Sequence, residues 1–184
     1  MENKKEITNK KIGVTFSAFD LCHAGHMRML RDCKSQCDYL IVGLQNDPST
    51  EADLSYRLET DNKPKNKPIM SIAERKEIIE AIKYVDEVFI YSTEEDLLNW
   101  LKTHTYHVRI LGSDWEHKKY TGWDLPHTPY FHKRDHNYST SSLRERVHRA
   151  EIERLKSAHP EYAIDCNKFE LILQLKQKNL QPQH

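Results

Sequence analysis

The chain has 184 residues, with 28 Lys plus Arg against 28 Asp plus Glu and 11 His, so its formal net charge is +0. One domain or two small ones fit that length, and the neutral balance argues against a nucleic-acid-coating protein, which needs excess positive charge. No apolar run approaches the roughly 20 residues of a membrane span, the charged N-terminus MENKKEITNKK is followed by no apolar signal segment, and Cys22, Cys33, Cys37 and Cys166 fit no zinc or disulfide spacing, so no membrane insertion, reduced thiols and a cytoplasmic location are expected.

In chain order, residues 1–10 read as a solvated arm and Ile12-Gly13-Val14-Thr15-Phe16 as a short buried strand. The chain then turns through Ser17-Ala18-Phe19-Asp20-Leu21-Cys22 into His23-Ala24-Gly25-His26, and Met27, Leu30, Cys33 and Cys37 form a helical stripe. The run from Asp38 to Leu44 is a second apolar strand, which completes a right-handed βαβ unit. Asn46 to Pro68 is polar, contains Pro48, Pro64 and Pro68, and ends in Lys63-Pro64-Lys65-Asn66-Lys67; a loop of that length is a binding loop or a disordered insert.

Ser71 followed three residues later by Glu74 is a capping box, opening a helix that buries Ile72, Ile79 and Ile82. Val85 to Tyr91 is the next strand, and Thr93 with Asp96 opens a helix from Glu94 to about His104. The strand Val108-Arg109-Ile110-Leu111 leads to Gly112-Ser113-Asp114-Trp115, residues 116–127 form a His- and aromatic-rich loop, and Tyr130-Phe131-His132 suits a short last strand. Ser139-Thr140-Ser141 sits where an N-cap belongs, ahead of Leu143, Val147 and Ala150. This order predicts an α/β fold, a parallel sheet with helices on both faces over residues 11–150, followed by a C-terminal helical extension over 151–184 with a second apolar patch at Phe169-Glu170-Leu171-Ile172-Leu173.

Ligands of open α/β sheets sit at the carboxyl ends of the strands. The exit of the first strand places His23 and His26 at a helix N-terminus, where free backbone N–H groups and the helix dipole favour anions. Gly25 lets a phosphate approach the backbone, and two imidazole donors suit the charge that develops on a transferring phosphoryl group. The same spacing is also compatible with a metal or with simple decoration of a helix end, and the pairs His104/His107 and His132/His136 raise the metal alternative again.

The segment Phe19-Asp20-Leu21-Cys22-His23-Ala24-Gly25-His26 resembles the HxGH signature of the nucleotidyltransferase superfamily, and within it the cytidylyltransferases, the glycerol-3-phosphate cytidylyltransferases above all. Three further segments match in order: Arg75 with Tyr84-Val85-Asp86-Glu87-Val88 resembles the family's ER…RYVDEV stretch, Gly112-Ser113-Asp114-Trp115 its GxDW loop, and Arg134 with Ser139-Thr140-Ser141 its R-T-x-G-I-S-T-T segment. The resemblance implies a Rossmann-like sheet and transfer of CMP from CTP to a phosphorylated small alcohol or polyol, glycerol 3-phosphate first, with release of pyrophosphate. The alternative is an ATP-using adenylyltransferase of the same superfamily, with FMN or a sugar phosphate as acceptor.

On this resemblance His23 and His26 stabilise the transition state, Lys65 or Lys67 closes over the β- and γ-phosphates, and Arg134 holds the nucleotide from the far side. Nucleotide contacts fall to Ser17, Ala18, Phe19, Gly25, Lys83, Gly112, Asp114, Trp115, Tyr138, Ser139, Thr140 and Ser141; Asp20 and Arg75 face the acceptor. Mg2+ is carried by the triphosphate rather than by a protein cage, and a homodimer is implied. The chain departs from the family pattern at Ser17-Ala18, where the family has Gly-Thr, at Lys83, where it has Arg, and at Asp135-His136-Asn137-Tyr138, where it tends to have Thr-Glu-Gly-Ile.

Overall fold

Strand β1 (Ile12–Ser17) lies at the centre of a five-stranded sheet in the computed structural model, which describes residues 9–50 and 65–159 and the backbone of 164–165 and 172–173. The arm over residues 1–8, residues 51–64 with Lys63 and Pro64, and Cys166, Phe169 and Leu171 lie outside the described residues. The other strands are β2 (Tyr39–Gln45), β3 (Glu87–Tyr91), β4 (Val108–Gly112) and β5 (Thr128–His132), in the order β3-β2-β1-β4-β5, every neighbour parallel. The order reverses at β1, so the crevice between β1 and β4 at their carboxyl ends is the topological switch point.

Helices α1 (Ala24–Ser35), α2 (Ile72–Glu80) and α3 (Glu94–Thr103) cross back between the strands. Alternation along the strands divides the core. Leu40, Val42, Leu44, Val108 and Ile110 pack with Leu30 and Cys33 of α1 and Ile79 of α2. On the other face Ile12, Val14, Tyr39 and Ile41 meet Phe16, Phe89, Tyr106 and Trp100 of α3. Phe16 fits because Gly43 beside it has no side chain: a Cβ there would stand 2.3 Å from its ring. Both predicted capping boxes form, with Ser71 and Glu74, and Thr93 and Asp96, exchanging side-chain bonds with each other's backbone N–H groups.

Two boundaries differ from the sequence reading. The α1 stripe ends before Cys37, whose Sγ bonds to the Cys33 carbonyl while the residue packs against Gly13. Strand β3 begins at Glu87 because Ile82 to Val85 closes a turn, with Val85 N–H donating to the Ile82 carbonyl at 2.9 Å.

These elements form one compact unit within Met1–Tyr138; a second lies within Ser139–His184. The second contains helix α4 (Thr140–Ala158) and two short antiparallel strands, β6 (Ile164–Asp165) and β7 (Ile172–Leu173). The limit expected after residue 150 thus falls inside α4, and the apolar patch near Phe169 includes a strand rather than only helix. Val147, expected to continue this helix, lies within it and is 60% exposed. Among the described residues no helix is long and apolar enough to cross a membrane.

Candidate active site

The turn from β1 into α1 carries backbone strain. Phe19 and Leu21 both have positive φ, 48° and 47°, a left-handed conformation costly for bulky side chains. Three contacts hold it. Phe19 is buried to 1% exposure in the core. Asp20 Oδ1 accepts the backbone N–H groups of Ile69 and Met70, both at 3.0 Å. Arg75 Nη1 donates to the Ala18 and Gln45 carbonyls, each at 2.7 Å, its Nη2 to the Asn46 carbonyl, and its Nε to Met70 O at 3.1 Å. Arg75 is 2% exposed, and these four carbonyls account for all three of its nitrogens. Arg75 and Asp20, expected to face the acceptor, thus both hold main chain here. Arg75 clamps main chain, and Asp20 fastens the turn to the residues that follow Lys65 and Lys67.

The strained turn delivers two imidazoles to the α1 N-terminus. His23 is the N-cap: its Nδ1 accepts Gly25 N–H at 3.1 Å, and His26 Nδ1 accepts His23 N–H at 3.3 Å. This is a capping box built from two histidines. Because each Nδ1 accepts a backbone proton, the neutral rings carry theirs on Nε2. The rings stack with centroids 3.9 Å apart. Burial, followed by repulsion from His23 and from Arg134 and opposed by Asp20, pushes the His26 pKa down to about 3. His26 is thus a neutral Nε2–H donor at physiological pH.

Gly25 is required by its neighbours. A Cβ there would stand 2.9 Å from both His23 Cε1 and His136 Cε1. His136 therefore joins the site, a residue that sequence reasoning did not select. Its signals were its spacing from His132 and its place among the four residues that depart from the family after Arg134. Arg134 pairs with Asp114 at 3.3 Å, bringing together the exits of β4 and β5, and its charge is felt at His26. Beside them Trp115 is half-buried in a single helical turn, Ser113–Trp115, and a Cβ on Gly112 would meet nothing within 4 Å, so open space adjoins it. Tyr138 is exposed, its ring 5.2 Å from His136.

The other expected residues are placed as follows. Ser17 ends β1, and Ala18 contributes its carbonyl to the Arg75 clamp. Lys65 and Lys67 are exposed; the Asp47 carboxyl is held below its ordinary range first by the Ser49 hydroxyl and backbone N–H, with the charge of Lys67 adding to them. Lys83 is corrected. It lies in the turn before β3, at the amino edge of the sheet away from His23 and His26, with its ammonium 5.2 Å from the Tyr84 ring centroid. In the second unit Ser139 caps α4, its Oγ accepting Ser142 N–H at 3.1 Å, and Thr140 and Ser141 form the first turn. Among the described residues no group of three or more His, Cys, Asp or Glu is placed to hold a metal ion.

The cytidylyltransferase-like family model matches residues 14–146, which span the strained turn, the histidine pair and the Asp114–Arg134 bridge. The chain belongs to the cytidylyltransferase-like family. It is a nucleotidyltransferase. The chain is 34% identical over 109 residues to a glycerol-3-phosphate cytidylyltransferase of Bacillus subtilis strain 168, covering 59% of this chain and 75% of that one. It is also 34% identical over 116 residues to the bifunctional protein HldE of Paramagnetospirillum magneticum, covering 63% of this chain but only 22% of that much longer protein. A solved structure, the lipopolysaccharide core biosynthesis protein from Thermoplasma volcanium GSS1, overlays at a TM-score of 0.44 and 18% identity, covering 77% of this chain and 89% of that one. The described geometry puts two imidazoles and the free N–H groups of a helix N-terminus together, an arrangement that favours anions.

Proposed function

We propose that this chain transfers CMP from CTP to the phosphate of a small alcohol or polyol, with glycerol 3-phosphate the first candidate. The observation that carries the proposal is the His23–His26 pair, locked by its own capping bonds into the tautomer with hydrogen on Nε2. An oxygen of the acceptor phosphate attacks the α-phosphorus in line; the new O–P bond forms as the α–β bridging P–O bond breaks, and pyrophosphate departs with that electron pair. The acceptor phosphate is already ionised, so no general base is needed. The two imidazoles donate to α-phosphate oxygens as charge builds, and the electric field of the α1 N-terminus adds to them.

Arg134, steadied by Asp114, supports the triphosphate, and Lys65 or Lys67 meets its outer phosphates as a point charge. Trp115 lies beside the base and sugar. Magnesium neutralises phosphate charge when bound, and it is carried by the phosphate oxygens and water. The working unit is a cytoplasmic homodimer.

The likeness to HldE supports a second reading, an adenylyltransferase that uses ATP and a sugar phosphate or FMN. Pyrophosphate release measured with each of the four nucleoside triphosphates, magnesium and glycerol 3-phosphate separates the two. CTP-specific release that requires the acceptor is expected; release with ATP alone sinks the first reading.

A further inference from the structure

The exit of β5 carries a strap across the first turn of α1. Gly25 and Arg28, three residues apart, share one face of that helix. Asp135 and Tyr138 both take hold of Arg28, Asp135 by an ion pair at 3.4 Å and Tyr138 by its ring, whose centroid is 5.4 Å from the guanidinium carbon. Between them in sequence, His136 turns onto Gly25, with the Tyr138 ring 5.2 Å away. Its Nδ1 accepts Tyr138 N–H at 3.3 Å, which closes the segment on itself. Just before the strap stands Arg134, whose charge reaches His26.

His136 meets the site at one point. The place a Gly25 Cβ would take lies 2.9 Å from the Cε1 of both His136 and His23, so the two rings are neighbours across that missing side chain. His23 also takes Gly25 N–H on its Nδ1 at 3.1 Å and stacks on His26 at 3.9 Å. The Nε2 of His136 is covered by protein, so this ring acts through His23 and Gly25 rather than on phosphate. The side chains of Arg28 and Asp135 are 43% and 76% exposed, and an ion pair in that setting adds little to stability. What the strap fixes is geometry: it ties Arg134 at the exit of β5 to the imidazoles at the helix N-terminus.

We propose that His136 is a positioning residue for nucleotidyl transfer: it holds the His23 imidazole and, through the strap that Arg28 anchors, sets Arg134 against the histidine pair. The assignment rests on the reading in which that pair faces the phosphates, and on neither the base nor the acceptor. Small displacements of the groups around a reacting phosphate cost rate steeply.

The test compares variants of the full chain, using the nucleoside triphosphate that gives pyrophosphate release. His136→Ala should lower kcat about tenfold, shift the KM for the triphosphate by less than about threefold, and leave the urea midpoint in place. His136→Asn keeps an oxygen to accept Tyr138 N–H but is too short to reach Gly25, so it should be as slow as His136→Ala. Arg28→Met, an exposed change, should lower kcat as well. Long-range proton–nitrogen NMR spectra of the imidazoles need no turnover: the wild type should show His23 with its proton on Nε2, and His136→Ala a mixture of both tautomers. Wild-type kcat in His136→Ala or Arg28→Met, rescue by His136→Asn, or an unmoved His23 signal overturns the proposal. A urea midpoint that falls in step with kcat also overturns it, by marking a merely structural role. Unchanged kcat in His26→Ala removes the histidine pair from the reaction and this assignment with it, whereas a slow His26→Ala beside a fast His136→Ala sinks the strap alone.

Discussion

His26 has two properties that pull in opposite directions. Its burial makes it a dependable neutral donor and also makes its protonation expensive. Removing it in His26→Ala should lower kcat by about 100-fold or more, the scale of losing one transition-state donor, with circular dichroism unchanged; steady-state pyrophosphate release checks this. The depressed pKa also sets a stability window. An unfolded His binds a proton near pH 6.5, whereas the folded one waits until about pH 3, so stability is full above about 6.5 and is lost progressively as pH falls toward 3. Between about pH 7 and pH 4.5 the wild type should therefore lose about 2 kcal/mol more than His26→Asn, which does not titrate. Urea unfolding at the two pH values measures the difference.

At the scale of elements, two buried arginines make opposite predictions. Arg75 on α2 bonds four carbonyls from the β1 exit, the β2 exit and the segment before its own helix. Arg75→Met should cost about 3 kcal/mol or more and lower activity, because buried carbonyls lose their donors and the strained turn its clamp; Arg75→Lys, without the planar fork, should not rescue either. Arg109 on β4 is 4% exposed, yet Nε and Nη1 have no hydrogen-bond partner and the guanidinium rests 4.3 Å from the Phe16 ring centroid. Arg109→Met should leave the urea midpoint unchanged or raise it, since a buried charge held mainly by ring faces is readily replaced by apolar volume. These two residues mark where the sequence stops being informative. Strand alternation, the two capping boxes and the His23–Gly25–His26 motif are local patterns, and each was legible. The partners of Arg75 lie up to 57 residues away and are main-chain atoms, which no side-chain motif encodes. The approach of His136 to Gly25 was invisible for the same reason, since only the folded chain brings the two together. Val147 fits an apolar stripe by spacing but is exposed, because periodicity names a face without saying that anything covers it.

At the scale of the whole molecule, charge is the governing quantity. A net charge of +0 and a pI near 7.2 leave little repulsion between molecules at neutral pH. Solubility in polyethylene glycol should pass through a minimum close to pH 7 and rise on either side as net charge grows. The neutrality is an average. Arg134 stands at the exits of β4 and β5, Arg28, Arg31 and Lys133 lie along the β5 edge, and acids such as Glu94, Glu95 and Asp96 at the start of α3. A neutral chain can therefore carry locally cationic surface without attracting polyanions in general.

The clamp of Arg75 and Asp20 also bears on how this protein tolerates changes of length. Both ends of the chain between Asn46 and Ile69 are tied to a single turn. A glycine–serine insertion between Ile69 and Ser71 would part the N–H groups held by Asp20 from the helix that carries Arg75, so it should lower the unfolding midpoint. Position along the chain thus matters more than the number of residues added, because these two anchors share one short stretch of backbone.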